Sequence, residues 1–379
     1  MAPLLMAIID TPQLSGPGRQ LTALLSALPE AGYEVELVTF RRSGRSVSTL
    51  VTHAESHGVR VTVIPERGPF DRTQYAALRS HIALRRPSIV QTHSYKATAL
   101  VWLLRRSGLA FGWVGCFHGA TTENLKVRAY HKLDQRLLRS ADQMVIMAES
   151  QRAGLGRAGA RAKVINNAVL PPPSASGGAI PDWAVPAGQP LIGYVGRLSP
   201  EKGVDLLLKA LHRVRTQIPD QTWTAVIAGE GPERDSLEAQ ATALGLSPLV
   251  RFLGQVSNPW SVYQAAALVV LPSRSEGLPN VMLEAIAADL SVIATRVGAI
   301  PDVIGTSAAA TLVPANNVEA LAGAIDRFLT QPPNPSAAAD RAAIREAYSL
   351  ERRVAAHLEI YRSIAGSTNR PVVSPPFKI

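Results

Sequence analysis

Short apolar runs alternate with amphipathic stretches along the whole chain. In the first half the runs fall at 4–10, 33–40, 60–66, 88–93, 112–118 and 142–148, and helical patterns occupy 19–30, 47–57, 72–85, 96–107 and 123–140. A run such as Leu4-Leu5-Met6-Ala7-Ile8-Ile9 is apolar at successive positions. That predicts strands covered on both faces, and their alternation with helices predicts a parallel sheet. Residues 163–169 read as one more strand, and 171–190, dense in Pro, Gly and Ser, as a linker. The rhythm then restarts, with strands at 190–197, 222–229, 249–255, 268–273, 291–296 and 310–314, and helices at 202–217, 232–245, 279–289, 318–330 and 336–347. A last helix, 349–364, opens on the capping residue Ser349 with Glu351 in its first turn. The expected architecture is α/β, two doubly wound parallel-sheet domains facing each other across a cleft. Their bounds are 1–170 and 190–348, with a linker at 171–189 and a terminal helix and tail at 349–379. Sheets of this kind bind ligands beyond the C-terminal ends of their strands, which makes the cleft the expected site.

Composition narrows the function classes. The chain has 379 residues, 46% of them hydrophobic and 18% charged, enough for two cores and too little charge for a disordered chain. Cys116 is the single cysteine, which excludes an internal disulfide and a cysteine metal cluster. No run approaches the roughly 18 apolar residues of a membrane span. The N-terminal residues lack the basic, apolar and small-residue order of a secretory signal, so the expected location is cytoplasmic. The net charge of +10 is uneven: residues 1–170 carry 22 Lys+Arg against 11 Asp+Glu, and the remainder 17 against 18. An anionic partner for the first half explains that bias: a membrane surface, a phosphorylated acceptor or nucleic acid. A compositional bias explains it too, since 32 of the 39 cations are Arg.

Three stretches carry chemistry. The first strand runs from Asp10 into Ser15-Gly16-Pro17-Gly18-Arg19 and a helix, so Gly16 and Gly18 read as a loop that lets backbone N–H groups approach an anion, or as a tight structural turn. The Thr39-Phe40-Arg41-Arg42 strand end lacks the acid of a dinucleotide fingerprint, though Arg41 and Arg42 could hold the extra phosphate of NADP; Leu21 and the lack of a catalytic Tyr-Lys pattern exclude an NADP reductase. In the second half Gly196-Arg197 is followed by Leu198-Ser199-Pro200-Glu201-Lys202-Gly203. Arg197 and Lys202 flank a strand-to-helix turn, so their charges can converge on a diphosphate leaving group. Then comes Pro272-Ser273-Arg274-Ser275-Glu276-Gly277-Leu278-Pro279-Asn280, with Glu284 beyond it. Pro279 suits a first helical position, which would aim the amides of Gly277–Asn280 at the strand ends. Glu276 at the mouth and Glu284 deeper would hold two polyol units of one ligand, whereas a glycosidase needs two carboxyls flanking one bond. Glu284 lies among Val281, Met282, Leu283 and Ile286 and needs a partner there.

In order along the chain, Gly196-Arg197…Glu201-Lys202-Gly203, Val226-Ile227-Ala228-Gly229-Glu230-Gly231-Pro232, Val250-Arg251-Phe252-Leu253-Gly254 and Glu276-Gly277-Leu278-Pro279…Glu284-Ala285 resemble glycosyltransferase family 4, the retaining nucleotide-sugar transferases of GT-B fold, which pair two Rossmann-like domains. The resemblance implies that Arg197 and Lys202 bind and stabilise the departing diphosphate. It implies that Glu276 contacts the transferred sugar and Glu284 the ribose, while the Gly277, Leu278 and Asn280 amides beside Pro279 hold sugar or phosphate. Glu230-Gly231 and Leu253-Gly254 would border the base, with Gly196 at the strand end beside them. Gly16 and Gly18 match the family's glycine loop, though the family more often has adjacent glycines. His118-Gly119 matches its His-Gly near the reacting sugar, and the last helix its closing helix. The donor would be a nucleotide-sugar, with UDP preferred because Gln255-Val256-Ser257-Asn258 shows no acid for a guanine edge. The acceptor would be a glycan or lipid-linked saccharide of bacterial surface polysaccharide or glycolipid. No cofactor and no metal is expected, there being no Asp-x-Asp, and no nucleic-acid partner.

Arg128, Lys132, Arg136 and Arg139 recur at helical spacing beside apolar Leu125, Leu133, Leu137 and Leu138. That pattern is an ordinary amphipathic surface helix or a docking stripe for anionic lipid at the inner membrane face. An epimerase of related fold and a non-catalytic nucleotide-sugar binder remain as alternatives.

Overall fold

The computed structural model describes residues 2–11, 13–42, 48–68, 71–119, 125–172, 189–256, 258–331 and 334–365. Most of the 171–190 stretch read as a linker lies outside them. The chain divides into two compact units, Met1–Asn167 with Leu350–Ile379, and Ala168–Ser349.

The first unit holds strands β1 (Leu4–Ile8), β2 (Glu34–Arg42), β3 (Arg60–Glu66), β4 (Ile89–Thr92), β5 (Gly112–Phe117), β6 (Gln143–Ile146) and β7 (Lys163–Val164). They form one parallel sheet in the order β3-β2-β1-β4-β5-β6-β7. Successive residues of β1 serve opposite cores: Leu5 and Ala7, with Ile9 just past the strand, join one with Leu21, Leu24 and Tyr361, while Met6 and Ile8 join another with Val38, Trp113 and Phe117. Helix Leu350–Ala365 belongs to this unit and lays Leu358, Ile360, Tyr361 and Ile364 against helix Gly16–Ala27, β4 and β5. The strand expected over 163–169 shrinks to two residues, Lys163 beside Val145 and Val164 beside Ile146, and its last bond to β6 is from Ile165 N–H to the Ile146 carbonyl at 2.9 Å.

The second unit holds β8 (Leu191–Val195), β9 (Thr224–Ala228), β10 (Val250–Gly254), β11 (Leu268–Leu271), β12 (Ser291–Thr295) and β13 (Thr311–Val313), again all parallel, in the order β10-β9-β8-β11-β12-β13. Ile192 and Tyr194 point into its main core with Leu207, Leu211 and Ile227. In both sheets the strand order reverses once, between β1 and β4 and between β8 and β11. At such a reversal the loops leave in opposite directions and open a crevice at the C-terminal strand ends. Arg197 and Lys202 follow β8, and Ser273 to Asn280 follow β11, so the motifs of the second half flank one such reversal.

Candidate active site

The turn after β8 is built from carboxylates as much as from cations. Tyr194 Oη donates to the Arg197 carbonyl at 2.9 Å, which fixes the chain as it leaves the strand. Arg197 Nη2 lies 2.6 Å from Glu201 Oε1, and Ser199 Oγ donates to that same oxygen at 2.6 Å. Burial works to raise the Glu201 carboxyl, but the Ser199 hydroxyl and Arg197 outweigh it and hold the acid below its ordinary range. Pro200–Lys202 form a single tight turn, Gly203 adopts φ 67°, and helix Val204–Gln217 starts only then. A Cβ at Gly203 would run into the Pro272 carbonyl oxygen, so glycine is what lets this turn close against the end of β11.

Lys202 and Glu276 meet across that contact. Lys202 Nζ donates to Glu276 Oε1 at 2.8 Å and to Oε2 at 2.9 Å, and Ser273 Oγ donates to Oε1 at 2.7 Å. The Glu276 side chain is 8% exposed and that of Lys202 26%, so the pair is mostly withdrawn from water. An ammonium has three donors; two are spent on Glu276 and one is left over. Arg274 rivets the two loops together. Its guanidinium clasps Asp205 at 2.7 and 2.8 Å, reaches the Pro200 carbonyl at 2.7 Å and Asn316 Oδ1 at 3.0 Å, and its backbone N–H bonds to the Glu201 carbonyl at 2.8 Å.

The helix after this loop begins at Asn280, and Pro279 is its N-cap with ψ 122°. The expected first helical position for Pro279 is thus off by one: its extended ψ carries the chain in from the loop, and Asn280 takes the first turn. Glu284 is buried on this helix and accepts from Tyr263 Oη at 2.7 Å, which supplies the partner its apolar company required. Behind the loop, Gly298 at φ 57° lies against the Glu276 and Gly277 carbonyls, and Ala299 N–H bonds to the Gly277 carbonyl at 2.9 Å. Leu278 is buried.

The neighbouring strand ends are laced by backbone. Gly196 N–H bonds to the Ala228 carbonyl at 3.0 Å, Leu198 N–H to Glu230 at 2.9 Å and Gly229 N–H to Gly254 at 2.8 Å. Gly196, Glu230-Gly231 and Leu253-Gly254 therefore stand side by side. Arg234 pairs with the exposed Glu230 carboxylate. A Cβ at Gly231 would strike the Leu198 carbonyl.

In the first unit the glycine reading needs correction. Gly16 and Gly18 lie inside helix Gly16–Ala27, not in a loop before it. Ser15 caps the helix and accepts the Gly18 N–H at 3.3 Å, and Pro17 fits the first turn, so the helix nucleates three residues earlier than the apolar period indicates. Gly18 is buried, where a Cβ would sit 3.0 Å from Leu50 Cδ1. His118 follows β5 directly and is partly buried, with Nε2 2.9 Å from His93 Nδ1. Burial, then the Arg353 charge, depress its pKa to about 4. Of the basic stripe, Lys132, Arg136 and Arg139 are exposed, the Arg128 side chain lies outside the described residues, and Arg139 lies just past helix Leu125–Leu138. Leu133 is exposed rather than inward; Asp134 and Leu138, four apart, face the core instead.

Residues 179–346 match the family model described as glycosyl transferases group 1, and residues 15–173 match the glycosyl transferase 4-like domain. The chain belongs to the nucleotide-sugar glycosyltransferases of the family 4 type. Among relatives of this family, it is 33% identical over 210 residues to the lipopolysaccharide core biosynthesis mannosyltransferase LpcC of Rhizobium leguminosarum bv. viciae, covering 53% of this chain and 58% of that one. It is 35% identical over 188 residues to a D-inositol 3-phosphate glycosyltransferase of Corynebacterium urealyticum, covering 48% of this chain and 44% of that one. The chain thus spans about half the length of these curated relatives. Anabaena HepE, solved with UDP-glucose, superposes with a TM-score of 0.79 at 19% identity over 95% of this chain and 99% of that one. Sucrose-phosphate synthase of Thermosynechococcus elongatus superposes with 0.78 at 20% over 96% and 100%. At such identities these two show the shared GT-B fold.

The structure of this family 4 member adds residues that sequence reasoning passed over. Arg274, Asp205, Ser199 and Ser273 hold the cation and acid loops, Tyr263 holds Glu284, and Gly298 backs the acid loop. Arg274 and Asp205 carried one available signal: each stands within three residues of a motif residue.

Proposed function

We propose that the chain is a metal-independent, retaining hexosyltransferase that moves a sugar from a UDP-sugar to a glycan or lipid-linked acceptor of surface polysaccharide or glycolipid. The observation that carries this reading is the Lys202–Glu276 pair at a sheet reversal, with Arg197 at the start of the same strand-to-helix connection and paired with Glu201. Fixed cations there would take the charge that grows on a departing diphosphate without reorganising at the moment of reaction. The third N–H of Lys202 and the Arg197 guanidinium would bind phosphate oxygens. Glu276, Gly277, Leu278 and Asn280 would hold the sugar, with Pro279 shaping their loop. Glu284, oriented by Tyr263, would accept from the ribose hydroxyls, and Gly196, Glu230-Gly231 and Leu253-Gly254 would border the base. His118 would bond a sugar hydroxyl. Gly18 enters this reading only as a packing residue, since Ser15 already takes its N–H and a Cβ there would meet Leu50, while Gly16 at the helix start would approach the phosphates.

In the step itself the bond from the anomeric carbon to the phosphate oxygen breaks, and the acceptor oxygen bonds to that carbon on the same face. The acceptor proton passes to the departing phosphate, so no side-chain base is needed. UDP is favoured because HepE is solved with UDP and UDP-glucose. A surface-glycan acceptor is favoured because LpcC acts in lipopolysaccharide core synthesis.

Among the described residues no helix is long and apolar enough to cross a membrane. Lys132, Arg136, Arg139 and exposed Leu133 would instead dock the chain at the cytoplasmic face of an anionic membrane. Flotation with anionic vesicles should recover the protein, and neutral vesicles should not; equal recovery would refute docking. The transfer is tested by incubating the chain with UDP-, GDP- and ADP-hexoses and a lipid-linked saccharide in the presence of a chelator, reading the new anomeric proton by NMR. An axial linkage from an axial UDP donor supports the reading. An inverted linkage, a need for divalent metal, or epimerised donor without transfer would each overturn part of it.

A further inference from the structure

The first unit buries a line of polar side chains that the transfer step leaves unexplained. Tyr361, on helix Leu350–Ala365, donates its hydroxyl to Gln91 Oε1 at 2.6 Å. Gln91 Nε2 lies 2.7 Å from His93 Nε2, and His93 Nδ1 lies 2.9 Å from His118 Nε2. Gln91 and Tyr361 are fully buried and His93 nearly so.

Chemistry gives this chain a direction. The Tyr361 hydroxyl has no other hydrogen-bond partner among the described residues, and an unmet O–H in a core is costly, so its hydrogen goes to Gln91 Oε1. The other end of the Gln91 amide is then the NH2, which only donates. His93 Nε2 must accept from it, so neutral His93 carries its hydrogen on Nδ1 and donates to His118 Nε2. With that nitrogen accepting, neutral His118 carries its own hydrogen on Nδ1. No partner for His118 Nδ1 is present among the described residues.

We propose that Tyr361, Gln91 and His93 are positioning residues that hold His118 in the tautomer protonated at Nδ1, so that this strand end offers an N–H, and not a lone pair, to a ligand hydroxyl. Both rings stay neutral at pH 7: burial lowers each of them, followed by His118, Arg353 and His357 for His93 and by Arg353 for His118. A His118 of this tautomer cannot serve as a base or nucleophile through Nδ1. It makes the last helix a determinant of what His118 presents, through residues that need not touch the ligand. That the hydroxyl belongs to a transferred sugar rests on the function proposed above; the tautomer does not.

The test is a long-range proton–nitrogen NMR spectrum of the free, full-length chain labelled with 15N-histidine, at pH 7, with the His118 signals assigned by their loss in His118→Asn. The expected result is a pyrrole-like shift at Nδ1 and a pyridine-like shift at Nε2 of His118. The reverse assignment overturns the proposal. Gln91→Met removes the donor to His93 and should replace the His118 pattern by averaged shifts of two tautomers. An unchanged single Nδ1–H pattern in that variant also overturns it. Should Gln91→Met fail to fold, Tyr361→Phe, which frees the amide to turn, is read in the same way. No nucleotide-sugar is present, so an Nδ1–H signal in a chain that transfers no sugar would sink the donor reading and keep the relay.

Discussion

Replacing Lys202 by Met tests whether the cation at the sheet reversal is structural as well as functional. The substitution keeps the length of the side chain and removes its ammonium. It leaves Glu276, 8% exposed, with Ser273 Oγ and without the two hydrogen bonds at 2.8 and 2.9 Å. Removing one partner of a fully buried pair costs about 3–5 kcal/mol. Lys202 is 26% exposed and Ser273 remains, so screening lowers this to about 2–3 kcal/mol. In a unit of this size that is a fall of about 5–10 °C in its melting transition. Calorimetric unfolding of the wild type, Lys202→Met, Glu276→Gln and the double variant measures the coupling directly. The double variant, with no stranded charge, should recover at least half of the Lys202→Met loss. A fall below about 1 °C, or strict additivity of the two substitutions, would refute the claim that these loops are held together by the pair.

Three further outcomes follow from the geometry. Tyr263→Phe removes the hydroxyl that bonds to buried Glu284 and should cost about 1–2 kcal/mol in urea unfolding, with a raised KM for the donor and little change in kcat; an unchanged KM would detach Glu284 from the ribose. Gly298→Ala puts a Cβ against the Glu276 and Gly277 carbonyls at a left-handed φ, and should destabilise by about 2–4 kcal/mol while weakening nucleotide binding; a neutral variant would show that the acid loop is free to shift. Acid should unfold the first unit early. Burial, then Arg353, hold His118 and His357 at about 4 and about 3, and burial, then His118 and Arg353, hold His93 well below 6.5, so between pH 6.5 and about 4 the unfolded chain binds protons the folded one refuses. Stability is then full above pH 6.5 and falls with acidification by about 1.4 kcal/mol per pH unit for each ring. Urea midpoints that stay flat from pH 7 to 5 would contradict this.

The rhythm of strands and helices was readable because runs such as Leu4–Ile8 are apolar on both faces and only a covered parallel strand accommodates that. Arg197, Lys202 and Glu276 were readable as candidates because each sits on a short connection between a strand and a helix, and Glu284 because an acid stands there among apolar helix residues. What each of them touches was not. Lys202 meets Glu276 across 74 residues and Arg274 meets Asp205 across 69, contacts that exist only once β11 is laid beside β8. Helices Trp260–Ala265 and Ile300–Ile304 span less than two turns, too short for a 3.6-residue period to appear, and Tyr263 went unnoticed with the first of them. Gly16 and Gly18 looked like a loop because glycine is a poor helix former, yet the Ser15 cap outweighs that preference. Gln91 and His93 showed only as polar residues at the end of a buried strand; their link to Tyr361 spans 270 residues.

The central claim is that Arg197 and Lys202 grip a nucleotide's diphosphate, and titration calorimetry of UDP and of uridine against wild type and Lys202→Ala tests it most directly. Charge-assisted bonds of this kind are worth about 1.5–3 kcal/mol each, so Lys202→Ala should weaken UDP by about 10- to 150-fold and leave uridine unchanged. UDP affinity that survives the substitution, or uridine affinity that falls with it, would contradict the account.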